Sequence, residues 1–339
     1  MQAKWTWMVA MIAASAAHAV AAADKIVLKV ADVYPPGHPV AESTAKFFME
    51  HVKKLTNGEV DFQYFPAEQL GKGKDLLALT QAGVVDIGLV VPSYVSDKMP
   101  LSAVAELPGG FASSCEGTVA LAQQARDGAL AKYEFQPNGV RVLIAHTFAP
   151  FQFVTTRKYE GMKSLEGQKM RSLGAAMDIT IRKLKGIPVR IPAPEINESM
   201  SRGTIDGGLM GYPTVLSYDL TRVVKTATRG ENFGGAAITY AIAENRFKAL
   251  PANVQKALVE AGDAATRNGC AVADRDVAPA AEKLKGAGIQ LVEFPPEERK
   301  ALQSLLTSVS EEWAAELDKR GKPGTTVLKD FRAAVAKQR

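Results

Sequence analysis

Cysteine is nearly absent: the 339-residue chain has two, Cys115 and Cys270. That excludes a disulfide-dependent miniprotein and a thiolate-rich zinc site, which draws on clustered Cys and His ligands. Histidine is also scarce. Beyond His18 near the start, His38, His51 and His146 stand far apart without metal-ligand spacing, so neither a metal site nor a cofactor is expected. Charge of one sign is lacking too. Lys and Arg number 41 against 36 acids, a net of +5 with no long basic run, which argues against tracking a nucleic-acid backbone. The chain has no G-x-S-x-G elbow, HExxH, Walker loop or dinucleotide fingerprint.

What is present is a globular composition, 47% hydrophobic and 23% charged. The length suits about two domains with a sizeable core. Residues 1–23 contain no acid. Lys4 supplies a minimal basic start, an apolar stretch runs from Trp5 to about Ala17, and small residues sit at Ala17, Ala19 and Ala21–Ala23. This pattern reads as a secretory signal cleaved after Ala23 or Ala19, and it falls short of the roughly 20 apolar residues of a membrane span. In an oxidising compartment Cys115 and Cys270 either form one disulfide, given Cα atoms within about 7 Å, or remain two buried thiols.

Along the chain, strands alternate with helices. Ile26–Asp32, Val60–Phe65, Asp86–Val91 and Val140–His146 read as strands, with helices at Pro39–Leu55, Lys74–Ala82 and Cys115–Tyr133 between them. The pattern restarts with strands at Phe151–Thr155, Lys169–Ser172 and Val189–Ile191 and helices at Met177–Leu184 and Glu195–Ser201. A strand at Ala236–Ala243, a long helix over about Pro251–Lys285, a strand at Gln290–Phe294 and helices at Pro296–Lys319 and Thr326–Lys337 complete it. This order implies an α/β fold with mainly parallel sheets. One echo stands out: Gly83-Val-Val-Asp86-Ile-Gly88-Leu89 against Gly203-Thr-Ile-Asp206-Gly-Gly208-Leu209. In both, a helix stops at Gly, Asp follows and a strand begins, as expected of two similar lobes facing one cleft.

Several motifs appear in a fixed order: Phe65-Pro66-Ala-Glu-Gln69-Leu70-Gly71, Gln81-Ala82-Gly83-Val-Val-Asp86, Leu165-Glu-Gly167-Gln-Lys169-Met-Arg171, Gly186-Ile-Pro188, Pro194-Glu195-Ile, Arg202-Gly203-Thr-Ile-Asp206-Gly207 and Ala249-Leu250-Pro251. In this order the chain resembles the DctP-type solute-binding proteins of TRAP (tripartite ATP-independent periplasmic) transporters, from about Ile26 to Lys319. The resemblance implies a two-lobed Venus-flytrap fold with a long lobe-spanning helix. It implies a periplasmic receptor, active as a monomer, that captures a small organic acid and delivers it to an ion-coupled membrane permease. Lobe one is then 24–148 plus 236–275; lobe two is 149–235 plus 276–339, including the C-terminal helices.

Arg171 matches the family's carboxylate-pairing Arg, and a guanidinium suits that role because its planar fork binds a carboxylate bidentately. Many acid-binding relatives carry a second Arg about twenty positions earlier, where this chain has Phe151. Where many have Asn it has Met210, and where sialic-acid binders are acidic it has Val91. These apolar replacements imply a small apolar monocarboxylate, either aromatic or a 2-oxo acid. Phe148, Phe151 and Phe153 are expected as a ring-stacking wall, with Phe151 and Phe153 sharing one face of a strand. Tyr34, Tyr94 and Tyr212 are expected as hydroxyl donors, and Ser93, Gly174 and Pro194 complete the ligand contacts. Two rivals remain: a sensor that presents its ligand to a signalling protein, and an exported enzyme with Glu195 or Asp206 as general base.

Overall fold

The computed structural model describes residues 25–338; the expected signal segment lies outside them. Eleven strands form two sheets. The first comprises β1 (Ile26–Ala31), β2 (Val60–Phe65), β3 (Ile87–Val90), β4 (Val140–Thr147) and β10 (Ala237–Ala243), in the order β2-β1-β3-β10-β4. The second comprises β5 (Gln152–Thr155), β6 (Lys169–Ser172), β7 (Ile187–Arg190), β8 (Gly207–Met210), β9 (Thr226–Thr228) and β11 (Gln290–Val292), in the order β11-β9-β5-β8-β6-β7. Each sheet has a parallel trio, β2-β1-β3 and β7-β6-β8, flanked by an antiparallel strand, β10 or β5. Helices cover both, as the two-lobed α/β reading expected, but the sheets are mixed and not mainly parallel, because β10 and β5, which follow the crossing connections, pair antiparallel with both neighbours.

The Gly–Asp echo has a structural meaning. Gly83 and Gly203 hold φ of 72° and 70°, a left-handed stop open to glycine at little cost. Asp86 Oδ2 then accepts from the Lys29 amide (2.8 Å) within β1, and Asp206 Oδ2 accepts from the Lys169 amide (2.9 Å) at the start of β6. Each Asp therefore ties its own strand to the neighbouring parallel strand, in addition to ending a turn.

Two connections cross between the lobes, 148–151 and 229–236. They run side by side, with the Phe148 amide donating to the Ala236 carbonyl (3.1 Å) and the Phe151 amide to the Gly234 carbonyl (2.8 Å). The third link is the helix Ala252–Gly286. It is continuous through Pro279 and packs on β4 in the first lobe and on the helix Tyr212–Ser217 and β11 in the second.

Cys115 and Cys270 are joined by a disulfide, with Cα atoms 4.8 Å apart, which settles the alternative that the sequence left open. It fastens the start of the helix Ser114–Arg126 to the long helix. Asp274, one turn further on, accepts from the amides of Ser114 (2.6 Å) and Cys115 (3.0 Å).

The C-terminal helices are shared between lobes, where the sequence had placed them with the second. Pro296–Lys319 packs on Ala175–Lys183 of the second lobe, but Gly324–Ala336 packs on Ser114–Arg126 of the first. The apolar stripe of Val327, Leu328, Phe331 and Val335 joins Leu121, Ala125 and Trp313 in one core, and burying that stripe decides where the helix lies.

Candidate functional site

Between the lobes lies a small cavity of about 40 Å³. Its wall draws on strand ends from both sheets. Val33 and Tyr34 follow β1, Val91 follows β3, Arg171 and Leu173 come from β6 and its end, and Phe148, Phe151 and Ala236 come from the crossing connections. Tyr94, His38, Ala193, Thr214, Tyr218 and Ile238 complete it.

Arg171 is 3% exposed. Its place on β6 lies opposite Gly208 of β8, and the missing side chain there makes room for the arginine stem: a Cβ on Gly208 would stand 2.8 Å from Arg171 Cβ. Arg171 Nε donates to the Ile191 carbonyl (3.0 Å), and the guanidinium also meets the Tyr94 phenol. Among the described residues no ion pair includes it. A buried guanidinium with no counter-charge is costly, and that cost falls when an anion enters. Glu106 is the acid whose field reaches it, but its carboxylate accepts from Ser93 Oγ (2.6 Å), and burial pushes its pKa up to about 7.

The rest of the wall is aromatic. Tyr34 stacks on His38 with centroids 4.1 Å apart, His38 meets Tyr218 at 5.7 Å, and Phe148 meets Phe151 edge to face at 6.0 Å. Three phenols belong to this wall. Burial raises the Tyr34 phenol well above its ordinary range and raises that of Tyr94. Tyr94 accepts from the Ala193 amide (2.8 Å), whereas the buried Tyr218 hydroxyl has no hydrogen-bond partner. His38 Nδ1 accepts from the Val40 amide (3.3 Å), and burial lowers its pKa to about 4, so the ring is neutral near pH 7.

Six of the residues expected from sequence thus meet at one cavity: Arg171, Phe151, Phe148, Tyr34, Tyr94 and Val91. The other six do not line it. Phe153 packs in the second lobe's core; Phe151 precedes β5 on a crossing connection, so the shared strand face does not extend to it. Met210 is fully buried beside the Arg171 stem, within another core cluster. Tyr212 donates its hydroxyl to the Thr228 carbonyl (2.5 Å) and so braces the second sheet. Ser93 is turned to Glu106, Gly174 precedes the helix Ala175–Lys183 and packs against Ser93, and Pro194 is exposed. His38, Leu173, Thr214 and Tyr218 were missed. Strand alternation from Arg171 was a signal for Leu173, but Thr214 and Tyr218 come from a short helix and its end, with no pattern to mark them.

Neither candidate general base is available in the cavity. Glu195 is exposed, and Asp206 is held by the Lys169 amide and by Arg157 (2.7 Å).

Comparison with known proteins gives the family and the fold. The family model for bacterial extracellular solute-binding proteins, family 7 (DctP), matches residues 30–317. A C4-dicarboxylate-binding periplasmic protein DctP from Rhodobacter capsulatus is 27% identical, covering 87% of this chain and 88% of its own. A marine metagenome TRAP solute-binding protein specific for aromatic acid ligands, solved with metahydroxyphenylacetate, superposes with TM-score 0.86 at 23% identity, covering 92% of this chain and 99% of its own. A TRAP solute-binding protein from Rhodoferax ferrireducens, solved with copurified benzoate, gives TM-score 0.83 at 24% identity, covering 92% and 98%.

Proposed function

Because this chain belongs to family 7 of the bacterial extracellular solute-binding proteins, the DctP family of TRAP transporters, we propose that its Arg171 cavity captures an aromatic monocarboxylate for delivery to a TRAP-type permease. The observation that carries this reading is a buried guanidinium without an ion pair, set in an aromatic-walled cavity. The carboxylate takes the open donors of Arg171, the Tyr94 phenol lies alongside, and the ring lies between Phe148, Phe151 and the Tyr34–His38 stack. The unpartnered Tyr218 hydroxyl serves a polar ring substituent. Solved proteins of the same fold hold benzoate and metahydroxyphenylacetate, in line with this chemistry.

The C4-dicarboxylate named for the Rhodobacter relative is the rival ligand class. A second carboxylate needs a second cation, and among the described residues on this wall Arg171 is the one permanent positive charge. The protein acts after export, with residues 1–23 removed, as a monomer. No helix among the described residues is long and apolar enough to cross a membrane. A sensor built on the same capture step differs only in the protein that receives the closed form.

A thermal-shift panel of benzoate, mandelate and succinate tests the reading. At a hundredfold excess over Kd, benzoate or mandelate is expected to add about 3 kcal/mol of stability, and succinate to add little. Preference for succinate over both aromatic acids overturns the monocarboxylate assignment.

A further inference from the structure

A second cavity, of about 70 Å³, adjoins the first and shares His38, Phe148 and Thr214 with it as wall residues. Its wall is mainly apolar. The long helix contributes Gly269, Val272, Ala273 and Val277, and the first crossing connection contributes Ala149 and Pro150. Four buried polar side chains line it, and three have partners: His38 accepts from the Val40 amide, and Ser43 and Gln152 donate to the Pro39 and Glu231 carbonyls; the fourth is His146 on β4. That imidazole is fully buried, and neither ring nitrogen has a hydrogen-bond partner. Buried polar groups are paired in the great majority of cases, so two orphaned nitrogens on a cavity wall mark a place where a partner belongs. The imidazole is uncharged near pH 7, since burial lowers its pKa to about 4. It therefore offers one donor and one acceptor, the complement of a phenol or alcohol. The acid on this wall, Asp276, is paired with Arg275 (3.0 Å) and would repel a second carboxylate.

Resting on the aromatic-acid reading, we propose that this cavity is a tail subsite: the receptor takes monocarboxylates whose ring carries an extended, uncharged tail, with the distal hydroxyl or ether of that tail hydrogen-bonded to His146. The carboxylate stays at Arg171, and the tail passes His38 and Phe148 to lie along the long helix. Rotation of the Phe148 ring opens the way.

Calorimetry with three probes tests the subsite: benzoate, para-benzyloxybenzoate and the same tailed acid with a phenolic hydroxyl on its outer ring. The tailed acid is expected to bind at least tenfold more tightly than benzoate, and the phenol more tightly still. Ala273→Phe fills the second cavity from a half-buried helix face, and Val272→Met fills it less drastically. Either is expected to remove the advantage of the tailed acids and leave benzoate binding unchanged, which also shows that the variant is folded. His146→Leu is expected to cancel the gain from the phenol while the plain tail still binds. Benzoate bound with the tailed acids tenfold weaker, or tailed acids indifferent to both filling variants, overturns the subsite while the aromatic-acid reading stands. Binding of none of the three overturns both.

Discussion

In the first lobe, the Lys29 amide of β1 is held by Asp86, and two residues on, Ala31 lies opposite Gly88 of β3. In the second, the Lys169 amide of β6 is held by Asp206, and two residues on, Arg171 lies opposite Gly208 of β8. Ala31 and Arg171 therefore occupy the same place in two copies of one arrangement. The strand ends that follow also differ. Asp32 is buried and accepts from the Tyr34 amide (3.0 Å) and from the hydroxyls of Tyr64 (3.0 Å) and Tyr240 (2.7 Å). Arg171 keeps donors free. The scaffold thus repeats wherever folding demands it, and chemistry enters where one copy departs from the other. One lobe has its buried charge hydrogen-bonded internally, and the other leaves its charge for a ligand.

The largest expected difference between the lobes is their response to acid. His146 belongs to β4 of the first sheet, and β9, the corresponding strand of the second, carries no ionisable side chain. Burial lowers the His146 pKa from 6.5 to about 4. The unfolded chain therefore binds a proton that the folded chain refuses. The stability at stake is fully present above pH 6.5 and is lost as the pH falls towards about 4. Glu106 and Glu134, raised to about 7 by burial, act in the opposite sense between about 4.5 and 7, so the comparison has to be made against a variant. Denaturation of His146→Leu across this range is expected to show it gaining on the parent by up to about 3 kcal/mol at the acid end. A constant gap between the two would mean that the imidazole is solvated.

The next difference should be close to zero. Asp86 also binds Arg246 (2.6 Å), as Asp206 binds Arg157 (2.7 Å). For Asp206, burial pushes the carboxyl up, but the Lys169 amide and the Arg157 guanidinium outweigh it and leave the pKa lowered. Asp86→Ala and Asp206→Ala are each expected to cost about 2 kcal/mol in urea denaturation, because each leaves a strand amide without its acceptor. Costs that differ by more than about 1.5 kcal/mol would show that the echo in the sequence is not a shared device.

Much of this was legible before any coordinates. Strands such as Val60–Phe65 and Lys169–Ser172 follow from alternation and flanking glycines, and the repeated Gly–Asp spacing announced the second lobe. Arg171, Phe151 and Val91 were legible through the family resemblance, and Tyr34, Tyr94 and Phe148 as candidate aromatic and hydroxyl contacts. The three-residue strand Thr226–Thr228 was not, because it is too short to show a period and is fixed by pairing with β5 and β11. Tyr218 was not, because its position depends on a left-handed turn at Asp219, φ 52°, that ends a short helix. The disulfide was not, because 155 residues separate its ends and only the packing of two helices brings them together.

Central to the account is the cation that distinguishes the two otherwise matching strands. Calorimetric titration of benzoate into the wild type and into Arg171→Gln tests it most directly. The variant is expected to lose about 2–5 kcal/mol of binding, and its thermal unfolding without ligand to be no lower than the parent's. Unchanged affinity would contradict it and move the carboxylate to another part of the molecule.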